Sequence, residues 1–175
     1  QETSNNRILS YRVQSIYLND GSTMTIGSGS ETIILYLDGG IDIRNHSKIK
    51  LTSGSKLIIY AHGPILFSGD STDKFIEQDP STASPENVQI YVVPGDTPPV
   101  ININGGSGLM FFLFAPESHV SLGLGATLKG NIWAKSWAGS GTAVLEEGTI
   151  NQANLKLSFP PRISPITSWE RVSNP

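Results

Sequence analysis

Cysteine is absent from the 175 residues, so neither a disulfide framework nor a thiolate metal site can organise the chain. Charge is scarce: 15% of residues are charged, and the net charge is −3. A cationic track along a phosphate backbone therefore has no source, and nucleic acid is not an expected partner. Long apolar runs are missing too. The strongest, Leu109 to Ala115, falls far short of the roughly 20 residues that span a bilayer, so no membrane contact is expected of this segment. No signal peptide is visible. The polar opening Gln1-Glu2-Thr3-Ser4-Asn5-Asn6 lacks Met, as expected of a processed product or an excised domain. Helical periodicity is also lacking, because 18 glycines and 11 prolines interrupt nearly every candidate window.

What is present is a series of short β runs. Ile33 to Leu37, Ile49 to Leu51, Leu57 to Tyr60, Val88 to Val93 and Val100 to Ile103 are rich in β-branched and aromatic residues and end at Gly, Pro, Asp or Ser. Each reads as a strand of about five residues. The decisive feature is an internal repeat. Ser22-Thr23-Met24-Thr25-Ile26-Gly27-Ser28-Gly29-Ser30 matches Ser47-Lys48-Ile49-Lys50-Leu51-Thr52-Ser53-Gly54-Ser55 at a shift of 25. Ile33 to Ile41 matches Leu57 to Ile65 at a shift of 24, and the same register sets Ile43 against Phe67 and Asn45 against Gly69. A fainter echo at a shift of 19 relates Phe114–Leu122 to Trp133–Gly141.

Coils of this size cannot bury an apolar face alone, whereas stacked coils share one core and complete each other's backbone hydrogen bonds. The expected fold is therefore a single all-β domain, a parallel β-helix or β-solenoid with short strands, an inserted acidic loop and a C-terminal cap. Residues 1–20 lead in, 21–69 hold the repeated coils, 70–87 form the inserted loop, 88–158 add further coils and 159–175 make the tail. Within that tail, Phe159-Pro160-Pro161-Arg162-Ile163-Ser164-Pro165 cannot hold a sheet ladder at its prolines, and Trp169 is the expected capping residue.

Residues able to carry chemistry are few. Gly27-Ser28-Gly29 and Gly139-Ser140-Gly141 read as turn corners, since no nucleophile elbow on a strand-to-helix turn surrounds either serine. His46, His62 and His119 lack partners at i+2 or i+4, and the 24-residue shift sets His62 under Asp38. Asp38 and Asp42 flank a Gly-Gly turn near Arg44, Lys48 and Lys50, the kind of exposed grouping used by polysaccharide lyases and glycosidases on β-helices. Asp70, Asp73, Glu77 and Asp79 are the oxygen donors that could hold a hard cation such as calcium, although a solvated acidic loop is the simpler expectation and no cofactor is expected. Trp133 and Trp137 could stack on sugars, or sit inside a coil or beneath a cap. Thr23 and Thr25 align with Lys48 and Lys50, so a repeated ice-binding threonine face is not formed.

The stretch Leu113-Phe114-Ala115-Pro116-Glu117-Ser118-His119-Val120-Ser121-Leu122, followed by Gly130-Asn131-Ile132-Trp133-Ala134-Lys135-Ser136, resembles a domain of bacterial type IV pilus accessory proteins, the PilX-like minor pilins. Ile166-Thr167-Ser168-Trp169-Glu170-Arg171-Val172 is similar to the Ser-Trp-Arg-Glu-Val ending of those proteins, with Glu170 and Arg171 transposed. The resemblance covers roughly Ile33 to Val172. It implies a non-enzymatic structural or adhesion module, extracellular or at the cell surface, partnered by pilus subunits, other surface proteins or polysaccharide. In the family a hydrophobic pilin-type helix precedes the domain, and this chain does not contain it. Two other classes remain open: a carbohydrate-active enzyme on the same scaffold, and a self-assembling bactofilin-like filament.

Overall fold

The computed structural model describes residues 7–151, 153 and 155. The expected Trp169 cap and the tail around it lie outside the described residues. The fold is an all-β parallel solenoid, and every strand pair in it is parallel. Its first three coils repeat three strands each: β1 (Ile8–Val13), β2 (Ile16–Leu18) and β3 (Thr23–Ile26); β4 (Thr32–Leu37), β5 (Ile41–Arg44) and β6 (Lys48–Leu51); β7 (Lys56–Ala61), β8 (Ile65–Ser68) and β9 (Ile76–Glu77). The chain continues through β10 (Val88–Val92), β11 (Ile101–Asn104), β12 (Leu109–Gly123), β13 (Thr127–Gly139) and β14 (Val144–Glu147). On the first face β1, β4, β7, β10, β12 and β13 stack in that order, and on the second β2, β5, β8 and β11 lead to the far half of β12. β3, β6 and β9 form the third face.

The repeat register holds. Ile33 pairs with Leu57, Ile43 with Phe67 and Thr23 with Lys48, as the 24- and 25-residue shifts require. Alternation turns one set of side chains inward on each rung, and Leu37, Ile43, Leu57, Phe67, Ile103 and Leu122 are all essentially sealed from solvent. The repeated serines have a specific task. Ser47 and Ser55 are buried, and their hydroxyls accept from Ser22 N (3.1 Å) and Gly29 N (3.4 Å) in the coil before. Ser55 also donates to the Gly29 carbonyl at 2.9 Å. Ser-x-apolar-x-apolar-x-Ser-Gly-Ser is thus a corner in which a small hydroxyl satisfies the backbone of the neighbouring corner.

Two features depart from the sequence-based expectation. β12 and β13 run for 15 and 13 residues instead of about five, bending from the first face onto the second without a break. The 19-residue echo holds only as far as Phe114↔Trp133 and Ala115↔Ala134. From His119↔Ser136 onward the shift is 17, because Pro116, Glu117 and Ser118 form a bulge opposite the single residue Lys135. In addition, the acidic segment is tied into the solenoid: Phe75 and Ile76 are buried, and Ile76–Glu77 extends the third face beside β6.

Candidate functional site

Each rung of the first face also points side chains outward, and from β4 to β13 many of these are aromatic or aliphatic. Register places Tyr36, Tyr60 and Tyr91 in one row, continued by Phe114 and Trp133. Their rings stack along the solenoid axis. Tyr36 and Tyr60 lie 5.2 Å apart and 10° from parallel, and Tyr60 and Tyr91 lie 5.2 Å apart at 21°. Tyr91–Phe114 and Phe114–Trp133 follow at 6.2 and 5.6 Å, tilted by 49° and 59°. A second outward row sets Ile34, Ile58, Gln89 and Phe112 beside it. By contrast, the outward positions of the second face include Asp42, Arg44 and Asn102, and those of the third include Thr23, Thr25, Lys48 and Lys50.

Part of this outer surface is as well buried as the core. Ile58, Tyr91 and Phe112, at 2%, 5% and 4% exposure, form a cluster of their own, and Ile150 and Leu155 from beyond β14 pack against it. Burial pushes the Tyr60 hydroxyl above its ordinary value, and the Tyr36 hydroxyl beside it adds to the effect. Stacking of this kind contributes about 0.5–1.5 kcal/mol per ring pair. It also consumes the ring faces that a sugar would need. Trp133 closes the outward row, whereas Trp137 stands in the inward register over Val120 on the second face, 59% exposed, so the two tryptophans do not form one platform.

The carboxylates singled out in the sequence are dispersed. Asp38 accepts from Arg12 Nε at 2.9 and 3.1 Å across one coil step, and Asp42 accepts from Arg44 Nε and Nη2 at 2.7 and 2.6 Å. Glu77 is drawn to Lys48 at 2.5 Å and Lys50 at 3.8 Å, while Asp79 caps its own turn by accepting from Ser81 N at 2.9 Å. Only Asp70 and Asp73 of the acidic four come together, and their companion is His46. Among the described residues these three have ligand atoms within 4.8 Å of one another. His46 Nδ1 contacts one oxygen of the buried Asp73, and the other oxygen accepts from Asp70 N at 3.0 Å. Each Asp73 oxygen thus already has a protein partner, and the trio staples the turn after β5 to the turn after β8. His46 follows from the stacking that sets Asn45 against Gly69, since one further step sets His46 against Asp70. His62 and His119 lie elsewhere, the latter against Ser136 Oγ.

The corners carry an acid-sensitive element. Glu31 accepts from Ser28 N at 3.0 Å and from the Ser28 hydroxyl, and these two bonds, the hydroxyl first, hold its carboxyl down to about 2 from an ordinary 4.5. The Thr72 hydroxyl and N–H lower Asp70, the Lys48 ammonium lowers Glu77, and the Ser81 hydroxyl and N–H lower Asp79. A carboxyl with a depressed folded value stabilises the fold above its unfolded value and loses that contribution as pH falls through the folded value. The melting temperature should therefore fall on acidification from 4.5 towards 2, and Glu31→Gln should remove part of that dependence. Calorimetry at pH 7, 4.5 and 2 measures it; an unchanged midpoint would contradict the assignment.

Residues 10–148 match the model of a protein family described as a domain of unknown function, DUF7305. The chain belongs to this family. No curated protein and no solved structure matches the chain. The matched span of the DUF7305 domain runs from within β1 to the residue after β14, so the family is defined by the coils themselves. Among the described residues, no helix is long and apolar enough to cross a membrane.

Proposed function

We propose that this DUF7305 domain is a non-enzymatic structural or adhesive module of the cell surface, the exposed part of a type IV pilus-associated protein, docking through the end of its solenoid. The observation that carries this reading lies in the first coil. Tyr11 and Val13 occupy inward-register positions over Leu35 and Leu37, yet they are 52% and 40% exposed, while Leu35 and Leu37 are buried. Ile8 and Tyr17 on the same coil are also exposed. Exposed apolar side chains gathered on one coil among the described residues, with the outer edge of β1 beside them, are suited to protein contact rather than to turnover.

Two further features support the reading. The residues that carry the pilus resemblance, Leu113 to Ala115 and Ile132 to Ala134, are adjacent rungs in register, and a Cβ at Gly130 would lie 2.0 Å from the Phe111 carbonyl oxygen. Gly130 of that motif is thus required by the close approach of the two coils. The Asp38 and Asp42 carboxylates, moreover, are each engaged by a separate guanidinium instead of flanking a common substrate position.

Protease added to intact cells producing the full precursor should remove an epitope placed in this domain, and the domain should appear with sheared pili. Protection of the epitope until lysis would refute surface display, and absence from the pilus fraction would refute the pilus assignment. With a polysaccharide panel, neither new reducing ends nor unsaturated products should form. Turnover abolished by Asp38→Asn would establish the carbohydrate-active alternative instead.

A further inference from the structure

One pair of neighbouring carboxylates differs from the others in what balances its charge. Asp38 is met by Arg12, Asp42 by Arg44 and Glu77 by Lys48. Among the described residues no lysine or arginine lies within ion-pair distance of Asp70 or Asp73, and the group beside them is the imidazole of His46. Asp73 is the costly member: its side chain is 1% exposed, and a buried carboxylate is tolerated only when its charge is met. An imidazole is a pH-dependent counter-charge, and this one is 70% exposed. Even when protonated it balances one carboxylate of the two.

Main-chain donors hold one oxygen of each carboxylate and leave the other to the cluster. Asp70 Oδ1 accepts from Thr72 N at 2.7 Å and from Thr72 Oγ1 at 2.5 Å, which leaves Oδ2 to spare. Asp73 Oδ2 accepts from Asp70 N at 3.0 Å, while Oδ1 is turned to His46 Nδ1. Gly69 makes the seat, since a Cβ there would fall 1.7 Å from Asp73 Oδ2. Carboxylates oriented in this way have the outer-shell support that metal ligands need. One donor atom from each of the three side chains lies within 4.8 Å of the other two. Ligands about 2.1 Å from a small divalent ion stand about 3–3.5 Å apart, so the exposed imidazole need only swing back from Asp73 to admit one. A depression bordered by Asp70, Ser71, Gly125 and Thr142 gives access from solvent. The donor set also selects the ion: calcium takes about six to eight oxygens, whereas one imidazole nitrogen with two carboxylate oxygens suits zinc and its first-row neighbours.

We propose that His46, Asp70 and Asp73 form a binding site for a zinc-class divalent cation, held by one imidazole nitrogen and one oxygen of each carboxylate, with the remaining position open to water. The cation takes the place of the direct contact between the imidazole and Asp73 Oδ1. It clamps the turn after β5 to the turn after β8, and so joins the second coil to the third at one corner. The nitrogen donor, supplied by the preceding coil, is what separates this site from an oxygen-only calcium loop within residues 70–79. This inference stands independently of the pilus assignment.

The lack of cysteine and the presence of only three histidines allow a direct test on the full, untagged chain. Calorimetric titration of chelator-treated protein with zinc chloride should show one equivalent bound per chain, with a micromolar Kd. In nitrogen-15 spectra of the imidazoles, zinc should shift the His46 ring signals and leave those of His62 and His119 in place. His46→Gln and Asp70→Asn should each weaken binding by at least about 10-fold, a loss that even an outer-shell partner produces. Both side chains are exposed, so the two variants should keep the circular dichroism of the parent. His62→Gln should bind as the parent does. No uptake at millimolar zinc would reduce the trio to a hydrogen-bonded staple and overturn the proposal. Calcium binding more tightly than zinc would overturn it too, as would zinc binding that survives His46→Gln.

Discussion

Phe67→Ala is expected to lower the free energy of unfolding by about 4 kcal/mol, the range found when a fully buried aromatic ring is truncated in a packed core. Phe67 is 0% exposed and sits between Ile43 and Ile103 in the second-face ladder. Its ring meets Phe75 at 5.4 Å and stands edge-on to Phe111 at 6.2 Å. The cavity left by alanine would open towards the rungs on either side, and in a solenoid the stability of each coil depends on its neighbours, so the loss is not confined to one turn. Tyr17→Ala, at a side chain 61% exposed on the first coil, should change stability by no more than about 0.5 kcal/mol. Urea denaturation of both variants measures the contrast. A Phe67→Ala loss below about 1 kcal/mol would mean that these rungs do not share one interior.

Gly105→Ala is expected to be nearly as damaging, for a backbone reason. Gly105 has φ +79°, and its N–H donates to the Gly123 carbonyl at 2.9 Å. A Cβ there would fall 2.4 Å from the Gly69 carbonyl oxygen and 2.5 Å from that of Asp70. Both are main-chain atoms of the neighbouring coil, which cannot rotate away as a side chain can. Gly21 separates the two contributions, since it has a similar φ of +76° with nothing within 4 Å of the added carbon. Gly21→Ala should cost about 1–2 kcal/mol, the left-handed strain alone. Gly105→Ala should cost at least about 3 kcal/mol, strain plus displacement of a packed coil. Equal losses in the two variants would show that the coils do not approach this closely at the corner.

The first three coils were legible because their period barely changes. Shifts of 24 and 25 align Ser47 with Ser22, Leu57 with Ile33 and Tyr60 with Tyr36, and each of those alignments is a register pair or a shared corner in the fold. Beyond them the period varies: Leu57 pairs with Val88 across 31 residues, Gln89 with Phe112 across 23 and Leu113 with Ile132 across 19. The length of each corner is set by local turns and bulges, and a bulge such as Pro116–Ser118 leaves no periodic trace. Hence the Tyr36–Tyr60 step of the aromatic row was visible in the repeat, whereas its continuation through Tyr91, Phe114 and Trp133 was not. The partners of the acidic quartet were not legible for a related reason: Asp70, Asp73, Glu77 and Asp79 are close in sequence, but the turn after β8 and the rung at β9 send them to different partners.

Composition and repeat alone determined the class of architecture here, because alternating apolar residues between Gly-Ser corners can be buried only by stacking copies of themselves. Tertiary structure decided which polar groups meet and which outward positions stay dry. The union of His46 with Asp70 and Asp73, the separation of Asp38 from Asp42 by two arginines, and the second apolar layer around Tyr91 all depend on how far each corner advances the chain. That advance is a sum of turn geometries, and only the folded coils carry it out.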